Sequence, residues 1–180
     1  MPLSFAIIRD SLENALKTNW RLTAAWGGAA LALDLGTKAA ARNFLEPWES
    51  RPVIDGFFHL VLAHNTGAVF SLLAGEGGPG QALKMTALAT LALLPFIYFF
   101  IQTGPGDRSR LAALGLILGG ALGNIHDRLR WGAVVDFLDF QWRGYHWPAF
   151  NVADLAICLG AGLLGLGVWR DRPASPEGRG

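Results

Sequence analysis

Four apolar segments dominate the pattern of hydrophobic and polar positions along the chain. About 20 predominantly apolar residues are needed to cross a bilayer as an α-helix, and each segment is close to that length. The pattern predicts spans over about Leu22–Ala41, Ala82–Ile101, Leu111–Leu129 and Val152–Trp169. Pro95 should kink the second span, because proline removes a backbone hydrogen bond inside a helix.

Two of the stretches between the spans carry β-like patterns. Val53–Leu62 and Ala68–Leu73 are predicted strands, separated by a turn at His64–Gly67. Val134–Phe140 is predicted to be a third strand. We therefore expect an all-α membrane protein with four transmembrane helices and a small extracytoplasmic β-sheet over the outer helix ends.

Lysine and arginine near the span ends indicate the orientation of the chain, because these residues are enriched on the cytoplasmic side. The bias favours both termini in the cytoplasm. We expect a cytoplasmic lead over residues 1–21, with an interfacial amphipathic helix, and a disordered cytoplasmic tail over residues 172–180. Residues 22–171 then form a single four-span domain, with outer segments at 42–81 and 130–150.

The composition agrees with a membrane protein and excludes several kinds of site. Of the 180 residues, 52% are hydrophobic and only 16% are charged, whereas a soluble domain has roughly 25% charged residues. A net charge of +1 indicates no general attraction to nucleic acid. The single cysteine, Cys158, excludes an internal disulfide and a cysteine-based zinc site, and the four histidines show no metal-binding spacing. We expect neither a metal nor an organic cofactor.

Polar residues from distant parts of the chain fall into one layer near the outer membrane surface. Charges beside a membrane core are costly, so such a group is a candidate functional site. The layer comprises Asp34 and Lys38 in span one, Asn65 and Asp136 in the outer segments, Asn124, Asp127 and Arg128 at the outer end of span three, and Asn151 and Asp154 at the outer start of span four.

Three of these groups also have a purely structural interpretation. Asn124, Asp127 and Arg128 can form an ordinary ion cluster at the membrane interface. Asp34 and Lys38 are four residues apart and share a helix face, so they can form an intramembrane ion pair. Asn151 can cap the fourth span, with Asp154 in the first turn complementing the helix dipole.

Asp136 is harder to explain structurally, because it lies among large apolar neighbours that should desolvate it and raise its pKa. Asp139 on the same predicted strand is a competitor. Alternation along the strand does not decide which of the two faces Asp154.

Five blocks of sequence resemble the motifs of one family, in the same order. They are Asp34–Lys38 (D-x-x-[ST]-K), Asn65–Ser71 (N-x-G-[AV]-x-F-S), Gly119–Arg128 (G-G-x-x-G-N-x-x-D-R), Val134–Phe137 and Phe150–Asp154. These blocks are similar to those of the signal peptidase II family, the lipoprotein signal peptidases. The last two blocks resemble those that carry the catalytic aspartates of the family.

The resemblance implies an aspartic endopeptidase in which Asp136 and Asp154, and not Asp139, activate a water molecule. It implies that the enzyme removes signal peptides from prolipoproteins, cutting before a diacylglyceryl-modified cysteine. It also implies roles in binding the substrate or supporting the site for a set of polar residues. They are Asp34, Lys38, Asn65, Asn124, Asp127, Arg128 and Asn151.

The resemblance also implies a bacterial cytoplasmic (inner) membrane protein with its active site near the outer face. Its expected partners are prolipoproteins and membrane lipids, and we expect it to act as a monomer. Two other functions remain open from the residues alone. A small transporter could use intramembrane Asp and Lys residues to relay ions, and a non-catalytic scaffold would tolerate Asp136→Asn.

Overall fold

The computed structural model describes residues 10, 13, 20–47, 49–67, 79–104 and 106–171 of the chain. Most of the expected N-terminal amphipathic helix, the expected strand Ala68–Leu73 and the expected disordered tail lie outside these residues. The described helices are α1 (Trp20–Phe44), α2 (Pro79–Leu91), α3 (Leu94–Gln102), α4 (Arg108–Trp131) and α5 (Val152–Arg170).

Each predicted span corresponds to helical structure. Helices α1 and α4 cover the first and third apolar segments and extend beyond both predicted ends, and α5 begins at the predicted start of the fourth segment and extends one residue beyond its end. The second segment is divided into α2 and α3 at Ala92 and Leu93, and Pro95 lies in the first turn of α3. Proline is tolerated there because the first backbone N–H groups of a helix have no partner within the helix.

Two stretches of described helix, Gly80–Gln102 and Val152–Arg170, are long and apolar enough to cross a membrane. The apolar pattern of the sequence predicts four spans. Helices α1 and α4 have 25 and 24 residues and are therefore long enough by length. Their glycines and buried polar residues, among them Asp34 and Asp127, make them less apolar.

A four-stranded antiparallel sheet has the order β1 (Ser50–Ile54), β2 (Phe58–Asn65), β3 (Val134–Trp142) and β4 (Tyr145–His146). The prediction of one strand over Val53–Leu62 is wrong. A turn at Asp55–Phe57 divides that stretch into a hairpin, and Gly56 provides the positive φ of 68° that the turn requires. The strand β2 also continues through His64 and Asn65, where the sequence predicts a turn.

Helix α4 lies between α1 and α5, and glycines allow close approach on both sides. A Cβ atom on Gly119 would overlap the backbone of Gly27 in α1. A Cβ atom on Gly160 in α5 would lie 2.6 Å from the carbonyl oxygen of Ala113. Small residues at such contacts are typical of membrane helix packing.

The sheet packs on the C-terminal end of α1 through an apolar cluster. Phe137 of β3 contacts Ala41 and Leu45 at the end of α1, and all three are buried. This contact fixes β3 relative to α1, and Asp136 of β3 lies within hydrogen-bond distance of Asn151 at the start of α5.

Candidate active site

Asp136 is the third residue of β3, is 3% exposed and accepts two hydrogen bonds from side-chain amides. Asn65 Nδ2 donates to its Oδ2 at 3.0 Å, and Asn151 Nδ2 donates to its Oδ1 at 2.7 Å. Burial, followed by the negative charge of Asp154, raises the pKa of the Asp136 carboxyl from 3.8 to about 6, although the two amides and Lys38 oppose the rise.

Asp154 lies in the first turn of α5 and closes a capping box with Asn151. The Asn151 side chain accepts from the Asp154 N–H at 3.0 Å, and Asp154 Oδ2 accepts from the Asn151 N–H at 3.2 Å. The predicted cap at Asn151 is therefore present. The other Asp154 oxygen, Oδ1, accepts from Asn124 Nδ2 at 2.8 Å.

Two asparagines connect the two carboxylates. Asn151 Nδ2, which binds Asp136, also donates to Asn124 Oδ1 at 3.2 Å. Asn124 in turn binds Asp154 through its Nδ2. The strand β3, the end of α4 and the start of α5 thus meet in one hydrogen-bonded network.

Lys38 lies beneath this network and has no exposed surface. Its Nζ is 2.8 Å from Asp34 Oδ2, 3.1 Å from Asp127 Oδ2 and 2.9 Å from Asn124 Oδ1. The ion pair between Asp34 and Lys38 that their spacing predicts is present.

Arg128 is half-buried and donates to the backbone oxygen of Asn124 at 3.5 Å. Its Nε is buried and has no hydrogen-bond partner among the described residues. Together with Asn124, it lines an apolar cavity of about 240 Å³ between the α2–α3 junction and helices α4 and α5.

Asp139 lies apart from this network. It is three residues from Asp136 on β3, so their side chains leave opposite faces of the strand. It pairs across the sheet with His59, and its Oδ1 is 3.3 Å from His146 Nδ1.

All nine predicted site residues therefore meet in one place, and the structure adds two neighbours that the sequence analysis missed. Arg42 Nη1 is 4.0 Å from Asp127 Oδ1, and His126 Nδ1 is 3.5 Å from the same oxygen. The four-residue spacing from Lys38 to Arg42 was the available signal, because it places both cations on one face of α1.

The chemistry available to this network is proton transfer. A carboxyl group with a pKa near 6, as Asp136 has, can both accept and donate a proton near neutral pH. Within the described ranges, no group of three or more His, Cys, Asp or Glu side chains is placed to hold a metal ion.

Comparison with known proteins gives consistent matches. Residues 27–170 match the family described as signal peptidase (SPase) II. The chain is 55% identical to a lipoprotein signal peptidase of Ralstonia nicotianae over 134 residues, covering 74% of this chain and 76% of the relative. It is 39% identical to that of Geobacter metallireducens over 158 residues, covering 87% and 95%.

A solved structure supports the same relationship. A bacterial membrane enzyme determined by the in meso method at 1.9 Å resolution is similar over 83% of this chain and 94% of its own, with a TM-score of 0.71 and 28% identity. Given this fold, the family match over most of the chain and the identity to its relatives, the chain belongs to the signal peptidase II family of aspartic membrane peptidases.

Proposed function

We propose that this peptidase removes signal peptides from prolipoproteins, cutting before the diacylglyceryl-modified cysteine, and that Asp136 and Asp154 activate the attacking water. The observation that carries the proposal is the network in which Asn151 and Asn124 join the two carboxylates. The names of the relatives, which are lipoprotein signal peptidases, support the substrate class.

In the proposed mechanism, the dyad of Asp136 and Asp154 holds one proton. The ionised carboxylate takes a proton from water as the water attacks the scissile carbonyl, and the protonated carboxyl polarises that carbonyl. The leaving amine then receives a proton from the dyad. A pKa of about 6 for Asp136 is consistent with a shared proton near neutral pH.

We further propose that α1, the α2–α3 pair, α4 and α5 are four membrane spans of one domain over residues 22–171. The basic residues near their ends support placing both termini in the cytoplasm, with the sheet and the dyad near the outer face of the bacterial inner membrane. The polar residues of α1 and α4 are tolerated in this arrangement because they face the bundle interior.

The cavity beside Asn124 and Arg128 is the proposed route for the substrate. Its other lining residues are apolar, among them Leu93 and Ile117. A signal peptide helix and the acyl chains of the modified cysteine could therefore remain in hydrocarbon while the scissile bond reaches the dyad. We propose that the enzyme acts as a monomer on substrates that it meets in the plane of the membrane.

The first test is cleavage of a diacylglyceryl-modified prolipoprotein by purified protein in detergent. Asp136→Asn and Asp154→Asn should each lose activity by at least about a thousandfold, because either change removes a group that must gain and lose a proton. Asp139→Asn is the matched control on the opposite face of β3, and it should retain most of the activity.

Folding of each variant would be checked by its thermal transition. Full activity in folded Asp136→Asn or Asp154→Asn would reject the dyad. Failure of the folded wild type to cleave the substrate would reject the proposed substrate and favour the transporter or scaffold interpretation.

A further inference from the structure

Each of the two carboxylates that contact Lys38 also binds the backbone next to a dyad residue. Asp34 Oδ1 accepts from the N–H of Ala153 at 2.9 Å, and Ala153 directly precedes Asp154. Asp127 Oδ2 accepts from the N–H of Val135 at 3.1 Å, and Val135 directly precedes Asp136. Lys38 is thus linked through Asp34 to the backbone next to Asp154, and through Asp127 to the backbone next to Asp136.

The cluster of Asp34, Lys38 and Asp127 is closed to any substrate. All three side chains have no exposed surface. Gly123 of α4 makes room for it, because a Cβ atom there would overlap Asp34 Oδ2. These residues therefore cannot contact the substrate backbone, and an effect on the reaction has to pass through the residues they hold.

Lys38 also determines the orientation of the Asn124 amide. An ammonium group can only donate hydrogen bonds, so it selects the Asn124 oxygen, which lies 2.9 Å from Nζ. The amide nitrogen must then face Asp154, to which it donates at 2.8 Å. A reversed amide would present an oxygen to the Asp154 carboxylate and lose this hydrogen bond.

We propose that Lys38 is a positioning residue that sets the placement of Asp136 relative to Asp154, with Asp34 and Asp127 as the two connections to their backbones. The proposal rests on the dyad function proposed above and assigns the cluster a task beyond helix packing. Burying one cation with two carboxylates is costly, and packed apolar residues often stabilise a fold as well or better. A cluster that only joined helices would not need to reach the N–H groups of Ala153 and Val135.

The test compares Lys38→Met with the wild type in the prolipoprotein cleavage assay. A dyad displaced by about 1 Å loses on the order of a hundredfold in rate, so kcat should fall about that much while KM changes less than about threefold. The pH profile of kcat/KM should also move to higher pH, because removing a nearby cation raises the pKa of Asp136.

Thr23→Val is the matched control. Thr23 is buried in the same helix and also joins α1 to α4, since its hydroxyl donates to the Leu111 carbonyl at 3.3 Å. It contacts no residue of the dyad network. Loss of this hydrogen bond should lower the temperature of the thermal transition and leave the pH profile of kcat/KM unchanged from that of the wild type.

Lys38→Met leaves two buried carboxylates without their cation and could fail to fold. The second variant, Asp34→Asn with Lys38→Met, removes one charge of each sign and keeps an oxygen for the Ala153 N–H. It should fold and show a reduced kcat, with a smaller upward shift of the pH profile than Lys38→Met, because losing the Asp34 charge opposes the effect of losing the Lys38 charge.

Three results would overturn the proposal: a folded Lys38 variant with wild-type kcat and pH profile, a Thr23→Val profile that shifts equally, or failure of both Lys38 variants to fold while Thr23→Val folds. The last result would make the cluster a requirement of the fold alone. None of these outcomes concerns the dyad itself, which is tested separately by Asp136→Asn and Asp154→Asn.

Discussion

At the scale of single residues, the side chains that donate hydrogen bonds to the two carboxylates of the proposed dyad are amides and not cations. Asn65 and Asn151 donate to Asp136, and Asn124 donates to Asp154. A neutral donor stabilises an ionised carboxylate less than a contacting cation does, and a cation lowers a carboxyl pKa by about 1–3 units. The amides therefore hold the carboxylates in place while the pKa of Asp136 remains near 6.

Replacing Asn65 by alanine should shift the pH dependence of activity. The hydrogen bond from Asn65 favours the ionised form of Asp136 and lowers its pKa, so its loss raises that pKa further. We expect the pH profile of kcat/KM to move upward by about one to two pH units, since a hydrogen bond to a charged group contributes roughly 1.5–3 kcal/mol.

Asn43→Ala is the control for this measurement, because Asn43 is exposed on α1. A profile for Asn65→Ala that coincides with those of the wild type and of Asn43→Ala would contradict the assigned role of the Asn65 amide.

At the scale of elements, apolar length predicts the helices well and the sheet less well. The break before Pro95 follows from the chemistry of proline alone. The β1–β2 hairpin was missed because its apolar residues continue on both sides of Asp55-Gly56, a dipeptide typical of turns. Strand β4 has two residues, too few to produce a periodic pattern.

The glycine contacts of α4 give a prediction about stability. Gly119→Ala should lower the free energy of unfolding by about 1–3 kcal/mol, because its methyl group would overlap the backbone of Gly27 and force α1 away. The measurement is the thermal transition in detergent, followed by activity at a temperature where the variant is folded.

Gly162→Ala provides the comparison, because a Cβ atom on Gly162 meets nothing within 4 Å. Its thermal transition should stay equal to that of the wild type or rise slightly, since alanine favours helix more than glycine does. Equal destabilisation by the two changes would show that the α1–α4 contact is not the cause.

At the scale of the whole molecule, the topology accounts for how much of the site could be predicted. Once four spans and their direction are assumed, residues as distant as Asp34, Asn65 and Asp154 fall into one layer, and the structure does bring them together. The sequence does not predict which aspartate of β3 faces Asp154, because Asp136 and Asp139 have similar apolar neighbours. Their separation depends on the contacts that Asn65 and Asn151 make after folding.

The proposed topology can be tested with thiol labelling in intact cells. In a Cys158→Ala background, Asp55→Cys at the exposed β1–β2 turn should react with a membrane-impermeant maleimide. Gly104→Cys, at an exposed position between α3 and α4, should react only after the cells are lysed. Labelling of both positions in intact cells would contradict the placement of four spans with cytoplasmic termini.

The capping box at the start of α5 links catalysis to the helix itself. Asp154 Oδ2 accepts from the Asn151 N–H while its charge faces the positive end of the α5 dipole. A carboxyl group that takes up a proton loses most of its attraction for the backbone N–H and for the helix dipole. In the proposed mechanism, the first turn of α5 is therefore bound less tightly whenever the proton resides on Asp154. The stability of the first turn of α5 should therefore change with the protonation of Asp154 during each catalytic cycle.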